Sequence, residues 1–287
     1  MSSSQYIEEN LDNIAERIGL DFKKILPLLN NILVEFVDKG QLTPDTIKLA
    51  SLDSKILEAI QLSGYGASVD SLLESMMELQ GINEKFYQKA EKLSVYDAIQ
   101  DSERLNNHVK NIIESLKGQG ASENILKPIE NLIRQQILLR RPYTETVDLL
   151  RIELSEESTI SRYVKQIATD GLSQYDGIIN DEVRVKYGLD KFYYIGSLIE
   201  TSRPICDHIR DNFKGIIYIS DLEKVLDEFC PNGIPSNEKI TFITVNEEKR
   251  TMKKGSGMIK GTNSANFSTY RGGYGCRHEV KWTRASK

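Results

Sequence analysis

Two short segments of the chain place a cysteine and a histidine two residues apart. Ser202-Arg203-Pro204-Ile205-Cys206-Asp207-His208 is one, and Arg271-Gly272-Gly273-Tyr274-Gly275-Cys276-Arg277-His278 is the other. They hold two of the three cysteines and two of the three histidines. Four soft or borderline donors, Cys206, His208, Cys276 and His278, can close a tetrahedron around zinc, and a small loop-rich module gains most from such a cross-link. Structural zinc sites more often space paired ligands by two to four residues, and a Cys-x-His pair chelates awkwardly. Two other readings stay open. One is a Cys206–Cys276 disulfide formed once the protein leaves a reducing compartment. The other is a pair of buried thiols whose neighbouring histidines and arginines hydrogen-bond loop carbonyls.

The same residue types could make a thiol nucleophile, with Cys206 or Cys276 beside His278 or His208 and Asp207 orienting the imidazole. Neither cysteine sits at an evident helix start, and the expectation is a protein without a catalytic site. Gly255-Ser256-Gly257 and Gly272-Gly273 lack the strand-to-helix context and the GK[ST] of a phosphate loop, and HExxH and GxSxG do not occur. His108 lies among polar neighbours in a helical stretch and is expected at the surface. Apart from the zinc reading, no cofactor is expected.

Basic residues gather at the same end of the chain. From Val245 onward there are ten Lys/Arg against three Asp/Glu, an excess of +7 in a chain whose net charge is −5. Lys253, Lys254, Lys260, Arg271, Arg277, Lys281 and Arg284 are candidate phosphate contacts, interleaved with Phe267, Tyr270, Tyr274 and Trp282, which could stack on bases. The competing reading, favoured here, makes Trp282 and Tyr274 core residues of a module otherwise short of bulk.

The elements that must position these residues divide into two styles. Ile14, Ile18, Phe22, Ile25 and Leu29 recur every three or four residues, as a helix with one buried stripe requires. Leu42-Thr43-Pro44-Asp45 reads as a helix start with Thr43 as cap and Pro44 first. Further helices are expected over 70–80, after the Gly64-Tyr65-Gly66 break, and over 96–116, 125–139 and 144–154, with a long one from the Ser158 cap into the 180s. Near Asp190 the period changes. Phe192–Ile195, Ile216–Ile219, Ile240–Thr244 and Glu279–Thr283 read as strands, with a short helix over 221–229 capped by Ser220. The fold class expected is α+β, predominantly α: a helical body over 1–187, divisible into 1–120 and 121–187, followed by a loop-rich α+β module over 188–287.

The apolar fraction of 39% and charged fraction of 28% suit a folded domain and argue against disorder. No apolar run approaches the roughly 18 residues of a membrane span. The first residues show no basic-then-apolar signal pattern, and three cysteines are too few for a disulfide scaffold, so synthesis in a reducing cytoplasm is expected.

The stretch from Arg162 to Asp207 is also distinctive. Tyr163, Asp170, Gln174 and Gly177 on a helix lead into Tyr187-Gly188-Leu189-Asp190-Lys191-Phe192-Tyr193-Tyr194-Ile195-Gly196. Thr201-Ser202-Arg203-Pro204-Ile205-Cys206 follows, and Gly272-Gly273-Tyr274-Gly275-Cys276-Arg277-His278 closes the pattern. The order Tyr-x-Gly, then Arg-x-x-Cys, then a C-terminal Cys-Arg-His resembles the minor head proteins of tailed phages, the Mu F-like head morphogenesis family. The likeness covers 100 to 120 residues, all C-terminal, and nothing in 1–150 shares it. It implies a low-copy structural protein of a virion, made in the host cytoplasm, associated with portal or capsid subunits and with packaged double-stranded DNA. Its role would be in head assembly or DNA ejection. It implies no catalytic residues and no membrane partner.

Overall fold

Helices predominate up to residue 187 in a computed structural model that describes residues 2–196, 198, 202–213, 216–244, 246–273, 276 and 278–284. The side chains of residues 4, 8, 11, 12, 14, 15, 18–20 and 22 fall outside that description, among them Ile14, Ile18 and Phe22 of the expected stripe. In chain order the helices are α1 (Ser3–Val34), α2 (Thr46–Ala50), α3 (Leu52–Leu62), α4 (Tyr65–Glu91), α5 (Val95–Ile99), α6 (Glu103–Leu116), α7 (Gln119–Ala121), α8 (Lys127–Leu138), α9 (Tyr143–Glu153), α10 (Thr159–Tyr187), α11 (Pro204–Asn212), α12 (Ile219–Phe229) and α13 (Phe267–Tyr270). The strands are β1 (Val37–Asp38), β2 (Gln41–Leu42), β3 (Lys191–Ile195), β4 (Ile216–Tyr218), β5 (Lys239–Ile243), β6 (Lys249–Lys253) and β7 (Glu279–Trp282). The class is α+β with helix predominating, as expected. Among the described residues no helix is long and apolar enough to cross a membrane.

The chain forms two compact units. A mixed unit comprises Met1–Glu9, Ser75–His108 and Asp170–Lys287, and a helical unit comprises Asn10–Glu74 and Val109–Thr169. The division therefore does not follow the expected boundary at 187/188, because residues from α4 and α10 are built into the mixed unit.

In the helical unit the apolar stripes are buried at Ile25, Leu29, Ile56, Leu72, Leu116, Ile129, Ile133, Leu150 and Val164. Gly64, with φ +95°, ends α3 as its position suggested. Ser158 caps α10, its hydroxyl accepting from the Ser161 amide at 3.0 Å. The start expected at Thr43-Pro44 lies later. Asp45 is the cap, its carboxylate accepting from the amides of Ile47 (2.9 Å) and Lys48 (3.1 Å). Thr43 instead donates its amide to Phe36 at the β1–β2 ribbon. A carboxylate facing the first free amides of a helix holds it better than a hydroxyl two residues upstream.

In the mixed unit a three-stranded antiparallel sheet runs in the order β4-β3-β7, with Phe192 opposite both Ile217 and Trp282. A separate two-stranded ribbon, β5–β6, pairs Lys239 with Lys253. The stretch expected as one helix from 96 to 116 is two, because Ser102 caps α6 through the Leu105 amide (3.1 Å). α12 begins at Ile219, before the Ser220 expected to cap it. Phe192 packs on Trp282 with ring centroids 5.0 Å apart and on Phe267 at 6.1 Å. Trp282 is fully buried, a core residue.

Beside this aromatic core lies a cluster of buried charges. Asp176 on α10 has no exposed surface. One carboxylate oxygen pairs with Arg271, and the other accepts from Asn83 at 2.8 Å and faces Lys281 at 3.4 Å. Arg271 spends its remaining donors on the carbonyls of Ser268 (2.9 Å), Ser173 (3.1 Å) and His278 (2.6 Å). Lys281 also reaches Ser3 at 3.0 Å and Glu279 at 3.3 Å. Burial alone would raise the Asp176 carboxyl, but the Lys281 and Arg271 charges hold it down at about 2. Buried charges persist only when compensated in this way. These bonds join α4, α10 and β7, and so carry the second half of α10 into the mixed unit.

α10 also meets the α13 segment backbone to backbone. A Cβ placed on Gly177 would lie 2.2 Å from the Ser268 carbonyl oxygen and 2.4 Å from the Thr269 Cα. No rotamer relieves a clash with backbone. Gly177→Ala is therefore expected to destabilise the mixed unit by about 1–3 kcal/mol, the usual cost of overpacking. Trp282 is the sole tryptophan, so the midpoint of its fluorescence change in denaturant measures the effect.

The Asp176 carboxyl also predicts acid sensitivity. Its folded value lies below the ordinary carboxylate range, so its contribution is complete above about pH 4 and is lost as pH falls towards 2. The loss should be roughly 2 kcal/mol by the size of the shift. Asp181, which burial pushes upward, acts in the opposite sense. Comparison with Asp176→Asn isolates the step, since the variant should be weaker at neutral pH and lack that particular acid-dependent loss.

Candidate functional site: a buried Cys-Cys-His-Tyr cluster

Three separate pieces of the mixed unit deliver the cluster. β3 carries Tyr194. Pro204 begins α11 with its fixed φ, a favourable first position, and so places Cys206 in the first helical turn. The expectation that neither cysteine lies at a helix start is thereby corrected for Cys206. The segment after α13 brings Cys276 and then His278, immediately before β7. β3 pairs with β7 at Tyr194↔Val280 and Ile195↔Glu279, which lays the His278 ring flat on Tyr194. Their centroids are 4.7 Å apart and the planes differ by 3°.

Two glycines make the approach possible. Gly196 has φ +145°, and a Cβ there would come within 2.8 Å of the His278 ring. A Cβ on Gly272 would sit 2.3 Å from the Cys206 sulfur.

The two sulfurs are 4.0 Å apart, and His278 Nδ1 is 3.7 Å from the Cys276 sulfur. The Tyr194 hydroxyl lies 3.4 Å from the Cys206 sulfur and 3.6 Å from that of Cys276. Ligand atoms of Cys206, Cys276 and His278 all fall within 4.8 Å of one another, and all three residues are buried. His278 Nε2 is buried without a hydrogen-bond partner among the described residues.

The thiols are unlike. The hydrogen bond with Cys206 favours the Cys276 thiolate; burial opposes this and His278 reinforces it, leaving Cys276 well below the usual thiol range. Cys206 moves well above that range, through the same hydrogen bond and then burial. Burial, followed by the two thiols, likewise pushes Tyr194 up. Between them the sulfurs hold one proton tightly and give up the other readily.

Of the four expected ligands, the structure brings together Cys206, Cys276 and His278. His208 is elsewhere, half-buried, with its ring 4.9 Å from that of Phe229. Tyr194 takes the place beside the sulfurs. The candidate phosphate contacts also divide. Arg271 and Lys281, each 2% exposed, are committed to Asp176 and offer nothing to a phosphate. Lys254 is held by Glu228 (2.7 Å) and Glu238 (2.9 Å). Lys253, Lys260 and Arg284 are exposed. Arg277 and Tyr274 lie outside the described residues. His108 is not a plain surface residue, since it is half-buried and its Nε2 is 2.9 Å from the Gly171 carbonyl.

Sequence reasoning missed Asp176 and its partners as a functional unit, although a signal was present. Leu172, Asp176, Ile179 and Val183 fall on one helical face, and a carboxylate on an otherwise apolar stripe announces a buried partner. The Tyr194 role had no such signal, since a tyrosine in a strand reads as core.

Comparison with protein-family models, curated proteins and solved structures gives no match for this chain.

A nucleophilic thiol needs access as well as a depressed pKa. Cys206 and Cys276 are 2% and 6% exposed. In native protein at neutral pH, iodoacetamide is expected to label both far more slowly than after unfolding, read by mass spectrometry of the peptides. A Cys276 that reacts faster folded than unfolded would instead argue for catalysis.

Proposed function

We propose that this chain is a structural protein of a tailed-phage virion, a low-copy minor head protein that works beside portal or capsid subunits in head assembly or DNA ejection. One observation supports this best. The residues that carry the resemblance are scattered from 162 to 278, yet Tyr194, Gly196, Cys206, Gly272, Cys276 and His278 meet at a single buried cluster. Gly177, also part of that pattern, makes the backbone-to-backbone contact with Ser268 and Thr269. A shared sequence pattern whose members turn out to be mutual neighbours is what a common fold predicts.

The chemistry of the cluster favours a structural role. Its thiols are enclosed, and the nearby charges satisfy one another instead of facing a substrate. The protein would be made in the host cytoplasm and carried in the particle. Contact with packaged DNA would fall to Lys253, Lys260 and Arg284, since Arg271 and Lys281 are internal.

Mass spectrometry of purified virions against infected-cell lysate tests the proposal, with the major capsid protein as reference. A few to a few dozen copies per particle are expected, roughly the stoichiometry of a portal-associated component. Abundance in lysate with absence from mature particles would sink the virion reading and leave an assembly factor or an enzyme.

A further inference from the structure

We propose that Cys206, Cys276 and His278 bind a thiophilic divalent metal ion, zinc being the commonest, with the Tyr194 hydroxyl held against both sulfurs as their hydrogen-bond donor. The case rests on the shape of the cluster. A tetrahedral zinc with bonds of about 2.3 Å to sulfur and about 2.0 Å to nitrogen or oxygen sets sulfurs about 3.8 Å apart. The same geometry sets sulfur about 3.5 Å from nitrogen or oxygen. The observed sulfur–sulfur distance is 4.0 Å and His278 Nδ1 to Cys276 is 3.7 Å, so two edges of the required polyhedron are met within a few tenths of an ångström. The phenol oxygen, 3.4 and 3.6 Å from the two sulfurs, stands at hydrogen-bonding distance from each, in a ring plane parallel to that of His278. A disulfide would need the same sulfurs to close to about 2.05 Å, nearly 2 Å nearer.

The chemistry agrees with the shape. Two thiolates balance the charge of a divalent ion and the imidazole binds as a neutral donor, so the occupied site carries no net charge into a buried place. On binding, the thiol protons leave to solvent and nothing is oxidised or reduced. The surroundings are built for close approach. Gly272 lies against the Cys206 sulfur where any side chain would collide, Gly196 gives His278 its room, and Arg271 donates to the His278 carbonyl at 2.6 Å. Such an ion would tie β3, the start of α11 and the segment before β7, which are far apart in sequence. The donor set excludes one residue that the sequence pattern nominated, His208, and Tyr194 supports the sulfurs from beside it.

The test uses the full chain, purified with reductant and without chelator, from cells supplied with zinc. Elemental analysis should give about one zinc per chain, the stoichiometry of a single closed site. Cobalt(II), added to protein freed of zinc, should produce the intense thiolate-to-cobalt charge-transfer band and the visible bands of a tetrahedral ion. Cys276→Ser and His278→Ala should each abolish stoichiometric retention, while Cys230→Ser should not. Tyr194→Phe should keep the charge-transfer band and bind cobalt about 10- to 100-fold more weakly, the range seen when supporting groups at metal sites are removed. Wild-type protein that is folded by its tryptophan fluorescence, yet retains less than a tenth of an equivalent of zinc and gives no cobalt band, overturns the proposal whatever the variants do. So does a stoichiometric Cys206–Cys276 disulfide in protein isolated without reductant in the presence of zinc. Unchanged cobalt affinity in Tyr194→Phe removes the phenol as a support of the thiolates.

Discussion

A single carboxylate, Asp176, sits without solvent between a guanidinium and an ammonium, and the mixed unit is arranged so that this can be so. An unpaired ion there would cost several kcal/mol, so Arg271 and Lys281 are as necessary to Asp176 as it is to them. Glu279 supplies a second anion beside Lys281, and the cluster closes with two charges of each sign. Such a group adds little net stability compared with a well-packed apolar core. Its effect is on uniqueness, because any other register of β7 against β3 would strand a charge. Arg271 then extends the constraint to the His278 backbone, so the positions of the thiol cluster and of the ion cluster are set together.

The helices and strands were largely legible because their apolar periods are clean. What stayed hidden depended on the conformation of short segments. Cys206 and His208 are two residues apart on α11, where that spacing turns side chains roughly 200° apart. Cys276 and His278 are also two apart, but just before a strand, where alternate residues share a side. The same Cys-x-His text therefore contributes two residues in one place and one in the other. α11 itself was announced by Pro204 at its first position, a signal visible but not used. β6 was obscured because Lys249, Arg250 and Lys253 read as solvent-facing charge instead of a strand.

The basic C-terminal excess was read as a surface property, and for Arg271 and Lys281 that is not what the fold does with it. Formal charge in a sequence says nothing of where its counter-charge lies. Here the partner is about 100 residues upstream, on a helix whose face is otherwise Leu172, Ile179 and Val183. The same pairing explains why the compositional change near residue 188 is not the division between units. Composition records where secondary structure changes type, while the ion cluster binds helix and strand across that point.

The mixed unit is assembled from three stretches of chain separated by up to about 65 residues, and its last described strand is β7. During synthesis, the segments of the helical unit are all present once residue 169 has left the ribosome. The mixed unit must wait more than 110 residues longer, until Lys281 and Trp282 appear. In that interval α4 and α10 exist with Asp176, Asn83 and Tyr87 lacking their partners in Arg271, Lys281 and Trp282, a span during which a nascent chain is exposed to chaperones and to premature association. The order of translation thus gives one unit a head start over the other.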